Sequence, residues 1–263
     1  MNNTRKKIGL ALGSGGTRGF TIIGVLKVLK KYNIEIDYIA GSSIGSIIGG
    51  AYAIDKDIEK LEDFALKFPY KEILESISDI GSQSGLVKGN KLLSVIKKYV
   101  GEQKIEDLQI PYAAVATNKM NGNAIAIRQG SLADAMRASS SIPVVLQPFK
   151  LADMELLDGG ISQQVPVEIV KNMGAEVVIA VNLSENTLAY NKKNQISMLQ
   201  HYIFLLLKNL AAENCRQADV VVSPNFPDIN WIDNFKNRES LIKEGERAAE
   251  EKINQIIDLI KIN

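Results

Sequence analysis

A glycine-x-serine-x-glycine pattern joins a predicted strand to a predicted helix. It reads Gly41-Ser42-Ser43-Ile44-Gly45, after the apolar run 38–40 and at the start of the helix-like run 44–53. In this setting the pattern is typical of a nucleophile elbow, a sharp turn that lifts a serine hydroxyl clear of a sheet. The flanking glycines, Gly41 and Gly45, allow the strained backbone and close packing of such a turn. Ser43 is therefore the predicted nucleophile of a serine hydrolase.

The usual serine hydrolase also needs a histidine to accept the serine proton. The chain contains one histidine, His201. It lies in the apolar run 197–207, which predicts a buried or half-buried helix without a turn that would present an imidazole to Ser43. We therefore interpret His201 as a packing residue and expect the base to be a carboxylate, the next candidate for this role.

Length and composition predict one globular domain. The 263 residues are 46% hydrophobic and 23% charged, which suits a single domain over residues 1–263. Because 31 basic side chains nearly balance 30 acidic ones, composition gives no sign of a nucleic-acid partner. The single cysteine excludes an intrachain disulfide and fits a reducing compartment. We expect a cytoplasmic protein, peripheral at the inner membrane surface where it meets a membrane.

Strand-like and helix-like segments alternate, which predicts an α/β fold with mostly parallel strands. The pair Asn121-Gly122 between two apolar runs predicts a hairpin, so the sheet should be mixed. The predicted strands are 8–12, 38–40, 112–117, 124–128, 175–182 and 220–223. The predicted helices are 20–31, 44–53, 58–68, 91–99, 131–137, 166–172, 196–217 and 240–262. The irregular stretches 71–90 and 225–238 predict surface loops or a small cap.

A glycine-rich loop follows the first predicted strand. It reads Gly13-Ser14-Gly15-Gly16-Thr17-Arg18-Gly19 and precedes a predicted helix, so its backbone N–H groups can turn toward an anion. A phosphate-binding loop would need a Gly-Lys-Ser/Thr ending, and a dinucleotide fingerprint would need a glycine where Ser14 stands. The third interpretation is an oxyanion hole for an intermediate formed at Ser43, and the elbow downstream favours it.

A carboxylate ends the apolar run in Leu156-Leu157-Asp158-Gly159-Gly160. Asp-Gly pairs are common in turns, so this motif by itself indicates a turn. Because histidine is scarce, Asp158 is also a candidate general base, able to take the serine proton and return it to the leaving alcohol. Spacing alone leaves the proximity of Ser43 and Asp158 open.

The motifs in this order resemble the patatin-like phospholipases, especially their small single-domain bacterial members. They are the glycine loop with Arg18, the elbow at Ser43, and Ala138-Ser139-Ser140-Ser141-Ile142-Pro143 leading to Asp158-Gly159-Gly160. The likeness covers residues 6–183, whereas 184–263 carry no motif that it matches. The chain departs from the family pattern at three positions, with Ser14 in place of a glycine, Ser42 in place of a threonine and Gln164 in place of an asparagine.

The resemblance implies a three-layer α/β/α fold and a lipid acyl hydrolase with a Ser43–Asp158 dyad and an acyl-enzyme. It implies an oxyanion hole at the backbone of Gly15, Gly16 and Thr17, with Arg18 supporting the loop, and no metal or other cofactor.

The partner expected from the resemblance is a lipid ester, met through transient contact with a membrane surface. Two apolar segments, 144–149 and 230–235, are candidates for an acyl groove or bilayer contact, or for plain core. A lipid-binding protein without turnover, and a phosphate-binding or nucleotide-binding protein, are the alternatives from other functional classes.

Overall fold

Eight strands form one sheet in the computed structural model, which describes residues 5–67, 88–185, 195–226 and 237–261. The strands are β1 (Ile8–Leu12), β2 (Tyr38–Ser42), β3 (Tyr112–Asn118), β4 (Ala124–Ile127), β5 (Phe149–Leu151), β6 (Met154–Asp158), β7 (Val177–Val181) and β8 (Val220–Val222). The α-helices of the described ranges are α1 (Phe20–Lys31), α2 (Ile44–Asp55), α3 (Ile58–Lys67), α4 (Asn90–Val100), α5 (Leu132–Ser139), α6 (Val167–Asn172), α7 (Gln195–Cys215), α8 (Arg238–Glu250) and α9 (Ile253–Ile260).

The sheet is mixed and mostly parallel. Parallel pairs join β1 to β2 and β7, β2 to β3, and β7 to β8. Antiparallel pairs join β3 to β4 and β6, and β5 to β6. Hydrogen-bonded neighbours follow the order β5-β6-β3-β2-β1-β7-β8, with β4 pairing with β3 off this path. The predictions of a mixed sheet and of a hairpin at Asn121-Gly122 are confirmed.

Helices cover both faces of the sheet. Successive strand residues point to opposite faces, so each strand contributes side chains to both helical layers. Leu10 and Leu12 pack with residues of α1, α2 and α8 on one face. Ala11 and Ala40 pack with α6 and the second half of α7 on the other. Strands buried on both sides need continuous apolar runs, which is why β1 and β7 were readable from the sequence. The predicted three-layer α/β/α architecture is confirmed.

Two elements differ from the prediction. The expected helix 240–262 is two helices, α8 and α9, with a turn at residues 251–252 that neither glycine nor proline marks. Strand β5 and its turn into β6 were not predicted, because Ala152 adopts the left-handed φ of 51° there and the glycine typical of such a turn is absent.

The first half of α7 corrects a further expectation. The run 197–207 is helical, as predicted, but its burial was predicted wrongly, since residues 202–206 are exposed. A helix of 21 residues spans about 31 Å, whereas the strands β7 and β8 that it connects, with 5 and 3 residues, span about 10–17 Å. The helix therefore extends past the sheet.

The carboxyl ends of β1, β2, β3 and β7 lie on one side of the sheet, called here the carboxyl edge. Open parallel sheets bind their ligands outside this edge. Within the described ranges, no helix combines the length and the apolar character that crossing a bilayer requires. Residues 71–87 of the predicted loop or cap 71–90, and the apolar segment 230–235, lie outside the described residues.

Candidate active site

Ser43 lies between β2 and α2 with a strained backbone. Its φ is 54° and its ψ is −121°, a conformation that non-glycine residues adopt at a cost of about 1–3 kcal/mol. The turn is so tight that a side chain on Gly41 would overlap the carbonyl group of Gly45, and one on Gly45 would overlap that of Leu12. The local geometry is that of the predicted elbow.

Strand β3 brings the elbow and the predicted base together. Strand β2 pairs with its first part, where Ser42 lies opposite Val115, and β6 pairs with its second part, where Asp158 lies opposite Ala116. Strand β4 pairs with residues 114–117 and overlaps both parts, so it occupies one edge of β3. Strands β2 and β6 therefore share the other edge and meet end to end.

A hydrogen bond joins the two predicted catalytic residues. The Ser43 hydroxyl donates to Oδ2 of Asp158 over 2.6 Å, across 115 residues of sequence. The second carboxylate oxygen, Oδ1, accepts from the amide of Gly160 over 2.8 Å. A side chain on Gly159 would overlap the carbonyl group of Val115, so the chain can leave β6 this closely only at a glycine. Ser43 and Asp158 are 5% and 6% exposed.

Burial raises the pKa of the Asp158 carboxyl from 3.8 to about 6, because the charged form loses hydration. The hydrogen bonds from Ser43 and Gly160 stabilise the charged form and lower the pKa again in part. A carboxylate with a pKa of about 6 is ionised at neutral pH and binds a proton more strongly than an exposed aspartate does. Such a group is suited to general-base chemistry.

Ser139, the last residue of α5, holds the elbow in place. Its Oγ accepts a hydrogen bond of 2.9 Å from the amide of Ser43 and donates one of 2.6 Å to the carbonyl oxygen of Val115. The hydroxyl therefore pairs a buried amide that would otherwise need another acceptor. The sequence assigns Ser139 no role of its own, since its only signal is a run of three serines after a predicted helix.

Arg137, two residues earlier on α5, was also missed. It is 2% exposed, and burial lowers the pKa of its guanidinium. Its nitrogens donate to the carbonyl groups of Lys88, Gly89 and Gln147 and to the hydroxyl of Ser141. The amide of Asp158 in turn donates to the carbonyl group of Ser141 over 2.9 Å. Arg137 thus braces the segment beside the predicted base.

The glycine loop packs beside the elbow. The amide of Gly13 donates to the carbonyl group of Val181 at the end of β7 over 3.0 Å. A side chain on Gly19 would overlap Ile44, the residue after Ser43, so loop and elbow are in contact. Gly16 is exposed with a φ of 57°, Gly15 is half-buried and Thr17 is buried. The loop backbone is therefore accessible at two of the three predicted oxyanion-hole positions.

Arg18 and Gln164 connect the loop to the segment after β7. Arg18 donates to the carbonyl group of Leu183 over 3.0 Å, and its guanidinium lies 4.9 Å from the ring centre of Phe226. Gln164 donates to the carbonyl group of Ser14 over 3.3 Å and to the hydroxyl of Ser184 over 2.7 Å. Two of the departures from the family pattern, Ser14 and Gln164, are thus in contact.

The apolar segment 144–149 divides between core and surface. Leu146 is 2% exposed and Phe149 is half-buried. Val144, by contrast, is 86% exposed and Val145 is 37% exposed. Within the described ranges, three or more histidine, cysteine or acidic side chains do not gather in a group that could hold a metal ion.

The chain belongs to the patatin-like phospholipase family, whose family model matches residues 10–171. An uncharacterized NTE family protein of Mycobacterium tuberculosis is 36% identical over 178 residues, which cover 68% of this chain and 49% of that protein. The lysophospholipase NTE1 of Scheffersomyces stipitis is 33% identical over 183 residues, which cover 68% of this chain and 12% of that protein. The chain thus spans about half the length, or less, of these curated relatives.

Among solved structures, VipD from Legionella pneumophila has a similar fold. The TM-score is 0.57 at 14% sequence identity, and the match covers 95% of this chain and 67% of that one. The family expected from the sequence motifs, and the fold expected with it, are confirmed.

We expect Ser139→Ala to lower the free energy of unfolding by about 1–3 kcal/mol, because it leaves the buried Ser43 amide without its acceptor. Ser140→Ala is the matched control. The Ser140 hydroxyl is buried and has no hydrogen-bond partner among the described residues, so its loss should leave stability unchanged or slightly higher. Urea denaturation measures both variants. Equal losses would contradict the role given to Ser139.

Asp158→Asn should stabilise the fold above pH 6. The pKa of Asp158 rises from 3.8 to about 6 on folding, so the ionised carboxylate costs about 3 kcal/mol at neutral pH. Between pH 6 and pH 4 the folded wild type takes up its proton and recovers this stability, so the advantage of the variant should shrink. Unfolding at pH 4.5, 6 and 7.5 measures the difference, with the exposed Asp153→Asn as control for the charge change. An advantage that grew on acidification would contradict the expected trend.

Proposed function

We propose that this chain is a serine lipid acyl hydrolase of the phospholipase or lysophospholipase type. Ser43 is its nucleophile and Asp158 its general base. The observation that carries the proposal is the 2.6 Å hydrogen bond from the Ser43 hydroxyl to a buried carboxylate whose pKa is raised to about 6. Family membership and a relative named lysophospholipase support lipid esters as the substrate class.

In the first half of the reaction, Ser43 Oγ attacks the carbonyl carbon of the ester while Asp158 takes the hydroxyl proton. The tetrahedral intermediate collapses when the bond to the leaving alcohol breaks, and Asp158 gives its proton to that oxygen. In the second half, a water molecule loses a proton to the same carboxylate and attacks the acyl-enzyme. The fatty acid leaves, and the proton returns to Ser43.

The negative oxygen of each intermediate needs preorganised donors. The backbone amides of Gly15, Gly16 and Thr17 are the proposed donors, because their loop packs on Ile44 beside the nucleophile. The N-terminus of α2, which begins directly after Ser43, adds its partial positive charge. Arg18 and Gln164 hold the loop in position without contacting substrate. Arg18 donates to the segment after β7, and Gln164 donates to the loop backbone.

Labelling with a fluorescent fluorophosphonate tests the nucleophile without knowledge of the natural lipid. Wild type should be labelled and Ser43→Ala should not. Asp158→Asn should react at least about 100-fold more slowly than wild type, because it lacks the base. Ser94→Ala, at an exposed serine of α4, is the control and should be labelled like wild type. Labelling that survives in Ser43→Ala would exclude this nucleophile. A folded wild type that takes no label would favour the lipid-binding alternative.

The pH dependence of catalysis tests the base. Because Asp158 acts in its ionised form, kcat/KM for a short soluble ester should rise about tenfold per pH unit below pH 6 and level off above it. A p-nitrophenyl butyrate assay between pH 4.5 and 8 measures this profile. His201→Gln should leave the profile unchanged, and a rise that disappears in this variant would assign the proton transfer to His201.

A further inference from the structure

The first half of α7 exposes apolar side chains around its whole circumference. Seven large ones are 37–68% exposed, namely Met198, Leu199, Tyr202, Ile203, Phe204, Leu205 and Leu206. Five of them are consecutive, and at 3.6 residues per turn five consecutive side chains point in every direction around a helix. The sequence from 195 to 207 contains no charged residue. The polar residues of this stretch, Gln195, Ser197, Gln200 and His201, all precede Tyr202. Residues 202–206 are therefore apolar on all sides, and such a helix is normally surrounded by apolar material.

The second half of α7 fixes where this apolar half lies. Ala211 and Cys215 are buried with residues of α6 and the sheet, and Asn214 Oδ1 accepts a hydrogen bond of 3.2 Å from the amide of Val165. Val165 packs at Gly13, where β1 ends and the glycine loop begins. The helix runs from the end of β7 back to the start of β8, which is parallel to it. Residues 195–210 therefore extend up to about 24 Å beyond the carboxyl edge.

Further exposed apolar side chains surround the candidate active site on that edge. Ile142 and Val144 are 43% and 86% exposed, and they follow Ser141, whose carbonyl group accepts from the amide of Asp158. Ile161, three residues after Asp158, is 39% exposed. The apolar half of α7 and the surroundings of the Ser43–Asp158 pair thus face the same end of the molecule.

We propose that the uncharged first half of α7 inserts into the acyl region of a lipid surface and holds the carboxyl edge, with Ser43, against that surface. The proposal rests on the proposed function, which requires lipid esters to reach Ser43. A second protein surface would cover one side of the helix and leave the others in water. Acyl chains contact all sides, and they match a segment without charge.

The length of the uncharged segment limits how deeply it can enter a bilayer. Its 13 residues, 195–207, span about 20 Å as a helix, whereas a bilayer core is about 30 Å thick. Charged residues flank the segment at both ends, Lys193 before it and Lys208 after it, so both ammonium groups belong at the level of the lipid headgroups and the helix lies along the interface with its apolar side chains in the acyl region. The inferred contact is therefore insertion into one leaflet.

Flotation with vesicles of phosphatidylcholine, with and without phosphatidylglycerol, tests this assignment on the full chain. Wild type should float with both compositions, and Leu199→Glu/Leu206→Glu should reduce the bound fraction about tenfold or more, because each variant side chain would bring a charge into the acyl region. The control is Asn209→Glu/Ala212→Glu, which adds the same two charges to exposed positions of α7 beyond the uncharged stretch. This control should float like wild type.

A soluble ester separates this proposal from the proposed function. The Leu199→Glu/Leu206→Glu variant should hydrolyse p-nitrophenyl butyrate like wild type but lose activity on vesicle phospholipid in step with its binding. Wild type that stays unbound, or a variant that floats normally, would overturn the lipid assignment whatever the esterase activity. Two other results would also overturn it. A wild-type dimer that dissociates in the variant would show that a second copy covers the helix, and a marked loss of melting temperature would show that the chain itself does.

Discussion

The end-to-end meeting of β2 and β6 along one edge of β3 is the constraint on which the candidate site depends. Strand β2 carries the proposed nucleophile to the level of Val115, and β6 arrives from the opposite direction at Ala116. Where the two backbones converge, little space remains for side chains, and several buried backbone polar groups need hydrogen-bond partners. Gly159 provides the space, and Ser139 joins the Ser43 amide to the Val115 carbonyl group. Gly159 and Ser139, which are not themselves predicted catalytic residues, therefore make the contact between Ser43 and Asp158 possible.

This arrangement concentrates unfavourable terms at one point of the molecule. Ser43 has a positive φ, Asp158 is a carboxylate with almost no exposure, and Arg137 is a buried cation whose hydrogen bonds go to neutral oxygens. Each would destabilise a smaller protein substantially. The apolar layers on both faces of the sheet provide the stabilisation that offsets them. Strain and buried charge of this kind are common at functional sites.

Local patterns predicted the layers of the fold, the elbow and the glycine loop, because each depends on neighbouring residues or on strands buried on both faces. The contact between Ser43 and Asp158 was beyond such reasoning, since it is set by the register of β6 on β3 and no local pattern specifies that register. Ser139 appeared in a motif without a role for the same reason. The exposure of α7 was predicted wrongly because apolar composition indicates burial, whereas the length of a helix relative to its strands decides how much of it the sheet can cover.

Because the chain is synthesised from its N-terminus, β2 and β6 can meet end to end only after β6 has been made. The elbow leaves the ribosome before Asp158, which follows 115 residues later, so a long loop closes between them. Contacts of high sequence separation cost loop-closure entropy before they form. Until β6 has docked on β3, Ser43 has an ordinary hydroxyl group in water and its partner an ordinary acidic carboxyl. Under the proposed mechanism, activation of Ser43 is thus a property of the completed sheet, and a nascent or partly folded chain lacks it.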